Sequence, residues 1–247
     1  LLGPCIEDAE VQRLLDAGAV ALPFESASDL DERVAALLQR QAVVGWVQGP
    51  MEFGPRALGS RSILGDPRDP DMQTKMNLKI KFRESFRPFA PAVLRECAAE
   101  YFEMGQAESS PYMLLVAPVN ESKRRPLNGE ELNLHGIDKL KVPRSEVPAI
   151  THVDYSARVQ TVDRVRHGRY RMLLEKFEQA TGCPVVINTS FNVRGEPIVC
   201  TPEDAYRCFM ATNMDVLVLE RFVLLKEEQP ESDRYRREEY LAQFALD

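Results

Sequence analysis

Short apolar segments alternate with segments of helical periodicity along almost the whole chain, and this alternation limits the fold more than any other sequence feature. Closely packed apolar residues suit a buried strand, whereas apolar residues spaced three and four apart suit one face of a helix. The apolar segments lie at 43–49, 88–94, 111–119, 150–162, 183–192 and 214–226. The helical segments lie at 7–17, 28–40, 95–102, 167–182 and 201–213. Strands interleaved with helices predict an α/β or α+β domain.

Residue types at the helix ends support these boundaries. Thr201 suits an N-cap, and Pro202 suits the first helical position that follows it. Gly182 suits the end of the segment 167–182, and Ser28 and Asp29 are the candidate caps for 28–40. In contrast, 120–148 is polar and contains proline, so we expect a long excursion there.

The chain has 247 residues, of which 44% are apolar, as in a globular domain. We predict one domain over 1–226 and a charged helix or tail over 227–247. No apolar run reaches the roughly eighteen residues of a membrane span, and the start of the chain has no signal-peptide pattern. We therefore expect a soluble, cytoplasmic protein without a membrane partner. The chain starts at Leu1, and its first residues read like the interior of a longer gene product, so we expect a fragment with a partner domain upstream.

Metal ligands are sparse. The five cysteines are scattered and never spaced as CxxC, which favours structural thiols in a reducing compartment over zinc ligands. His152 and Asp154 form an HxD pair, but a hydrogen-bonded histidine is the better interpretation of so short a pattern. No metal site is assigned with certainty from the sequence.

The net charge of −7 argues against a general surface for nucleic acids or anionic membranes. The segment 56–87 differs, because it holds eight basic residues against four acidic ones. A local basic patch on an acidic body suits a small anion, such as a phosphate or a carboxylate.

Three polar clusters could bind such an anion. In the first, at 51–62, Arg56 and Arg61 lie in a turn stiffened by Gly54, Pro55 and Gly59. Arginine grips phosphate or carboxylate bidentately, although two isolated arginines of this kind could equally pair with nearby acids.

The second cluster, at 79–87, contains Lys79, Lys81, Arg83 and Arg87. In an extended segment the first three side chains share one face, where their charges repel unless an anion lies between them. In a helix they would scatter over a solvated surface.

In the third cluster Asn188, Thr189, Ser190 and Asn192 follow a predicted buried strand, and Arg194 and Glu196 come next. Ligands in α/β sheets commonly bind where a strand ends in polar side chains and free amide groups. The alternative is a Ser- and Asn-rich turn that satisfies only its own backbone.

Four segments that contain these clusters, 51–70, 86–94, 151–162 and 188–205, resemble the C-terminal domain of the O-carbamoyltransferase family of nodulation factor and antibiotic biosynthesis. The resemblance extends from residue 1 to about 225 and keeps the order of the motifs. It implies a fold similar to threonylcarbamoyl-adenylate synthase, with a twisted mixed sheet, helices and a positively charged concave cleft. Tyr155 departs from the family pattern, in which a smaller residue such as glycine is expected.

The resemblance also implies a reaction. Carbamoyl phosphate is cleaved to carbamate and phosphate, and carbamate then attacks the α-phosphorus of ATP to give carbamoyl-adenylate and pyrophosphate. In the family, an N-terminal actin-like ATPase-type domain that holds iron passes the carbamoyl group to a hydroxyl of a sugar or natural product. This chain lacks that domain, so ATP and Mg²⁺ are the cofactors expected here, and the partner domain would be fused or separate.

By the same resemblance, the expected catalytic residues are Lys81, Arg83 and Arg87. The expected substrate-binding and ATP-binding residues are Arg56, Arg61, Arg158, Ser190, Asn192 and Arg194. Asp154 and Glu196 are expected to orient arginines rather than to hold Mg²⁺. Phe82 and Phe191 are candidates to stack on adenine, whereas Trp46 fits core packing better.

Two other functions compete with this one. A non-catalytic nucleotide-binding domain would bind ATP without turnover. An RNA-binding module of the same fold is disfavoured by the net acidity, and salt-dependent binding of RNA would be needed to support it. A homodimer is one assembly that the sequence leaves open.

Overall fold

The computed structural model describes residues 2–107, 109–230 and 237–244. In these residues nine strands form one mixed sheet in the order β1-β9-β8-β2-β3-β7-β4-β6-β5. The strands are β1 (Leu22–Pro23), β2 (Val44–Val47), β3 (Arg61–Gly65), β4 (Ala90–Leu94), β5 (Leu115–Pro118), β6 (Ser156–Val162), β7 (Val185–Ser190), β8 (Val216–Leu219) and β9 (Phe222–Leu225). Only β2 with β8 and β4 with β6 pair in parallel. The predicted α/β class is confirmed.

Eight α-helices accompany the sheet within the described residues. They are α1 (Asp8–Asp16), α2 (Ala27–Gln39), α3 (Met72–Lys79), α4 (Ala98–Tyr101), α5 (Gly129–Leu132), α6 (Arg164–Thr181), α7 (Pro202–Ala211) and α8 (Arg237–Ala242). Helix α6 packs on β4, β6 and β7 and against α2, while α7 packs on β2 and β8 and contacts α1 and α8. No described helix is long and apolar enough to cross a membrane.

The centre of the sheet forms the core. Every residue of β2, β3, β4 and β8 is buried, so both faces of these strands are covered. This explains why β2, β4 and β8 read in the sequence as apolar runs rather than as alternating patterns, whereas β3, which starts with Arg61 and Ser62, was not predicted. The terminal strands β1 and β5 are mostly exposed, as expected at the edges of a sheet.

The register brings four strand ends to one edge. Ser190, the last residue of β7, pairs with Ser62 of β3, and Asn188 pairs with Ala90, the first residue of β4. Strand β6 runs parallel to β4 and also starts at this edge. The polar end of β7 therefore meets the starts of β3, β4 and β6, which places the three basic and polar clusters of the sequence around one point.

Most predicted helix ends are confirmed, with one correction. Thr201 caps α7 through a hydrogen bond from the Asp204 amide, and Gly182 follows the last residue of α6. The cap of α2 is Ser26, however, and neither Ser28 nor Asp29 fills that position. Ser26 precedes the helix in extended conformation, and its hydroxyl oxygen accepts the Asp29 amide at 3.3 Å.

Further segments differ from the prediction, among them β1, which was not predicted as a strand. The strand expected over 150–162 spans only Ser156–Val162, because His152 and Tyr155 close a turn in which the Tyr155 amide donates to the His152 carbonyl at 2.9 Å. Tyr155 has a φ of 64°, a conformation that favours glycine, which agrees with the smaller residue expected there. Helix α3 was not predicted, because Pro67 and Pro70 precede it and its sequence has little amphipathic character.

The predicted tail over 227–247 is described only in part. Its described residues include α8, which packs on α7, whereas 231–236 and 245–247 lie outside the described residues. The domain boundary at 226 stays a prediction.

Candidate active site

Two adjoining cavities lie at the edge where β7 ends. The inner cavity has a volume of about 130 Å³ and the outer one of about 400 Å³. Both are lined by Arg56, Arg83 and Arg158, so they form one continuous cleft with three guanidinium groups on its walls. The end of β7 closes the inner cavity, while Arg87 and His152 lie on the outer one.

No carboxylate of the described residues forms an ion pair with Arg56, Arg83 or Arg158. Burial, followed by the nearby charge of Arg56, lowers the pKa of Arg158. The Nε atom of Arg158 is buried without a hydrogen-bond partner among the described residues. Three guanidinium groups thus line the cleft without an ion-paired carboxylate among the described residues, an arrangement that suits a small anion.

The loop that carries Arg56 is fixed by the buried carboxylate of Glu52. Its Oε1 atom accepts hydrogen bonds from the backbone amides of Leu58 at 2.6 Å and of Ser60 and Arg61 at 3.2 Å each. Because all three bonds converge on one oxygen, the loop has a defined shape before any ligand binds.

Side chains from the sheet hold the other side of this loop. Asn188 donates to the Ala57 carbonyl at 3.0 Å, and Gln160 donates to the Leu58 carbonyl at 2.9 Å. The two amide side chains also bond each other, from Asn188 Nδ2 to Gln160 Oε1 at 2.7 Å. Strands β6 and β7 therefore position the arginine loop directly.

Gly59 fits where another residue would collide with the core. Its φ is 108°, and an added Cβ would lie 2.2 Å from the Tyr170 ring. Its carbonyl accepts the Trp46 indole N–H at 3.0 Å. The buried Trp46 thus supports the loop from within the core, in agreement with the packing role expected for it.

Arg61 is not in the cleft, which corrects the ligand contact expected for it. Its side chain is fully buried and donates to the backbone carbonyls of Gly49 and Ser60 and to that of Pro4. Burial lowers the pKa of this guanidinium. The two arginines of the first cluster therefore separate, because Arg61 begins β3 and points into the protein, whereas Arg56 remains exposed on the loop.

Lys81 is buried beneath the turn that follows β7. Its ammonium lies 2.6 Å from the Ser190 carbonyl, 2.8 Å from the Asn192 carbonyl and 2.7 Å from Asn192 Oδ1. Burial, and secondarily the charge of Arg83, lower the pKa of Lys81 to about 7. The structure thus brings Lys81 of the second cluster into contact with Ser190 and Asn192 of the third. Lys79 does not join them, because it ends α3 and the segment after it is not an extended strand.

Arg83 is held in place without being neutralised. Its Nε atom donates to Asn77 Oδ1 at 2.6 Å, and its guanidinium lies 4.8 Å from the centre of the Phe89 ring. Burial and the neighbouring Arg87 lower the pKa of Arg83 to about 10. Asn77 is itself fully buried and donates to the carbonyls of Ser85 and Arg87, so α3 shapes this whole segment.

The other expected acidic and basic residues have local partners. Arg87 and Arg194 both lie 3.8 Å from Glu84, and Arg194 is absent from the walls of the two cavities. Asp154 accepts from Ser156 and lies 3.2 Å from His152, and these bonds, chiefly those from Ser156, lower its pKa to about 2. Glu196 accepts the Val193 amide at 2.7 Å. Within the described part of the chain, neither acid forms a hydrogen bond or ion pair with an arginine, so the orienting role expected for them is not seen.

The aromatic candidates for adenine stacking do not line the cleft. Phe191 is fully buried in the core, and the Phe82 ring lies 5.8 Å from the Arg237 guanidinium. The ring that does reach the cleft is Phe89. Among the described residues, no three histidine, cysteine, aspartate or glutamate side chains gather as a metal site.

Sequence reasoning missed the residues that organise the cleft, Glu52 and Asn77. The only local signal for Glu52 is that it is the sole acidic residue of the loop 51–60. Asn77 gave no signal, because its role depends on helix α3.

Comparisons with known proteins agree with the resemblance seen in the sequence. Residues 35–226 match the family described as Carbamoyltransferase C-terminus. The uncharacterized protein sll1178 of Synechocystis sp. is 57% identical over 248 residues, covering 100% of this chain and 40% of the relative. Nodulation protein NolO of Bradyrhizobium diazoefficiens is 38% identical over 226 residues, covering 91% of this chain and 38% of the relative.

The chain thus spans less than half the length of these relatives. Among solved structures, full-length HypF in its phosphate- and nucleotide-bound form covers 82% of this chain and 23% of its own, with 15% identity and a TM-score of 0.49. The family match and the identity to NolO confirm the recognition made from the sequence. This chain belongs to the carbamoyltransferase C-terminal family.

Proposed function

We propose that this domain forms carbamoyl-adenylate from carbamoyl phosphate and ATP, as the first half of O-carbamoyl transfer. The observation that carries the proposal is the cleft lined by Arg56, Arg83 and Arg158, none of which has a carboxylate partner among the described residues. ATP and carbamoyl phosphate are both polyanions, so a site that brings them together needs several cations without partners of their own.

The reaction has two steps. Water and carbamoyl phosphate give carbamate and phosphate, with cleavage of the bond between the carbamoyl group and its phosphate. A carbamate oxygen then attacks the α-phosphorus of ATP, forming a new P–O bond while pyrophosphate leaves. Carbamate is already an anionic nucleophile, so the second step needs charge stabilisation and alignment more than it needs a general base.

The side chains of the cleft suit that demand. Arg83 and Arg158 would contact phosphate oxygens from two walls, and Arg56 would close over the ligand from its loop. Arg87 on the outer cavity would contact the more distant phosphates. We assign Lys81 to a supporting role, since its ammonium already has oxygen acceptors in the turn Ser190–Asn192.

Magnesium would enter with ATP. Protein sites for Mg²⁺ commonly supply one or two carboxylates and leave the remaining positions to phosphates and water. The described residues form no carboxylate cluster at the cleft, so the phosphates of ATP would supply most of the ligands.

The second half of the transfer would need the rest of a longer protein. The chain covers 40% or less of the relatives named above. We propose that an actin-like ATPase-type domain holding iron, fused or separate, receives the carbamoyl-adenylate and transfers its carbamoyl group to a hydroxyl.

Pyrophosphate release tests the proposal. With ATP, Mg²⁺ and carbamoyl phosphate, the wild-type protein should release pyrophosphate, and omission of carbamoyl phosphate should stop the release. Arg83→Ala should reduce the rate at least about a hundredfold, because it removes a charge aimed at the transferring group. Arg13→Ala is the matched control, since Arg13 is an exposed arginine on α1. ATP binding without pyrophosphate release would instead support the non-catalytic alternative.

A further inference from the structure

The C-terminal helix α8 contacts the turn that follows β7. Tyr240 of α8 is buried, and its hydroxyl donates a hydrogen bond to Glu196 Oε1. The Tyr240 ring also packs edge-on against Phe244, with 5.2 Å between ring centres. A buried hydroxyl that bonds to a half-buried carboxylate fixes both groups in one geometry.

Glu196 transmits that contact to the polar turn. Its second carboxylate oxygen accepts the Val193 amide at 2.7 Å, and its backbone carbonyl accepts Asn192 Nδ2 at 2.7 Å. Asn192 in turn accepts from the Lys81 ammonium. A continuous series of hydrogen bonds therefore runs from Tyr240 through Glu196 and Asn192 to Lys81.

A close backbone approach reinforces the same contact. Gly195 has a φ of 81°, and an added Cβ would lie 2.4 Å from the Phe244 carbonyl oxygen. Arg237 of α8 lies over the ring of Phe82, the residue that follows Lys81, and donates to the Ala211 carbonyl at 3.2 Å. Helix α8 thus contacts both chain segments that meet at Lys81.

We infer that α8 is a positioning element of the active site and that Tyr240 is a positioning residue, which acts through Glu196 on the turn Asn192–Glu196. The inference rests on the proposed function for its catalytic consequence. Helix α8 itself lies beyond the family match, which ends at residue 226. Tyr240 itself lies behind the turn, and neither cavity of the cleft includes it.

The test compares two changes of tyrosine to phenylalanine. Tyr240→Phe removes the hydroxyl that bonds Glu196, whereas the control Tyr206→Phe removes a buried hydroxyl that bonds Gln229. We expect Tyr240→Phe to lower the kcat of carbamoyl-adenylate formation about tenfold, while the KM for ATP changes less than about threefold. Tyr206→Phe should leave both unchanged, and thermal melting of both variants should confirm that they are folded.

Two further measurements separate positioning from general stability. Hydrogen exchange of the amides at 190–196 should accelerate in Tyr240→Phe and stay as in wild type in Tyr206→Phe. In a double-mutant cycle, adding Tyr240→Phe to Glu196→Ala should cost no further activity, because the two residues act in series.

The outcomes distinguish the two proposals. Equal kcat and equal exchange in the two tyrosine variants would overturn the positioning role. If the wild-type protein forms no carbamoyl-adenylate, the proposed function fails, and the exchange at 190–196 still decides whether Tyr240 positions the turn.

Discussion

The Lys81 ammonium lies 2.7 Å from the side-chain oxygen of Asn192, and together these two residues join the segment after α3 to the turn after β7. The two segments are more than a hundred residues apart in the chain. Lys81 is almost entirely shielded from solvent, at 4% exposure, so its charge is supported by these oxygen acceptors and by the nearby carboxylate of Glu196.

This burial predicts a pH-dependent stability. The pKa of Lys81 is about 7 in the folded protein, whereas its ordinary value, taken for the unfolded chain, is 10.5. Between pH 7 and pH 10.5 the unfolded state therefore binds a proton that the folded state has released. Stability should therefore rise with pH above about 7, and fall as the pH drops towards 7 and the buried amine becomes charged. Between pH 7 and pH 9 the contribution amounts to about 2 kcal/mol.

Urea unfolding of the wild type and of Lys81→Met at the two pH values measures this contribution. The variant should lose most of the rise, whereas the exposed neighbour variant Lys79→Met should keep it. Parallel pH curves for the wild type and Lys81→Met would show that the buried amine does not titrate in this range.

Glu52→Gln should loosen the Arg56 loop. The Oε1 atom of Glu52 accepts three backbone amides, and a neutral amide oxygen is a weaker acceptor than a carboxylate. We expect a loss of about 1–3 kcal/mol in the free energy of unfolding together with weaker pyrophosphate binding. Glu121→Gln at an exposed position serves as control, and an unchanged affinity in Glu52→Gln would contradict the role given to this loop.

Gly59→Ala should be strongly destabilising. The new methyl group would meet the Tyr170 ring at 2.2 Å in a backbone conformation that side chains rarely adopt. The penalty should reach about 3 kcal/mol or more, visible as a lowered Tm. The matched change Gly129→Ala has open space and should have little effect, and similar Tm values for the two variants would contradict the packing described here.

Arg158→Met should weaken anion binding without lowering the stability of the protein. Arg158 is partly buried beside Arg56 without a carboxylate partner among the described residues, so removing its charge relieves repulsion in the free protein. We expect a Tm equal to or above that of the wild type and pyrophosphate affinity at least about tenfold weaker. Calorimetry and thermal melting measure the two effects, and a lowered Tm with unchanged affinity would mean that Arg158 is a structural residue.

The sequence was most informative where local chemistry decides the structure. The buried strands at 43–49 and 183–192 and the cap at Thr201 could be predicted, because apolar runs and capping side chains act over a few residues. The meeting of the three clusters depends on sheet register, which the sequence does not show. The family resemblance supplied the expectation that the clusters share one site, and the structure places Arg83, Arg158 and Ser190 on one cleft.

Two basic residues of the predicted site are buried in the structure, and for a common reason. Arg61 and Lys81 have the same charge as Arg83, yet tertiary burial surrounds them with backbone carbonyls. Composition cannot separate a buried supporting cation from one that faces a ligand. Asn77 was missed for the same reason, since its hydrogen bonds link residues brought together only by the fold.

Direct detection of the acyl-adenylate tests the central claim most closely. The protein would be incubated with ATP, Mg²⁺ and carbamoyl phosphate labelled with ¹³C at its carbonyl carbon, and the nucleotides analysed by mass spectrometry. We predict labelled carbamoyl-adenylate together with pyrophosphate in the wild type, and at least about a hundredfold slower formation of both in Arg83→Ala. ATP bound at the cleft without labelled adenylate, or conversion of ATP to ADP instead of AMP derivatives, would contradict the proposed reaction.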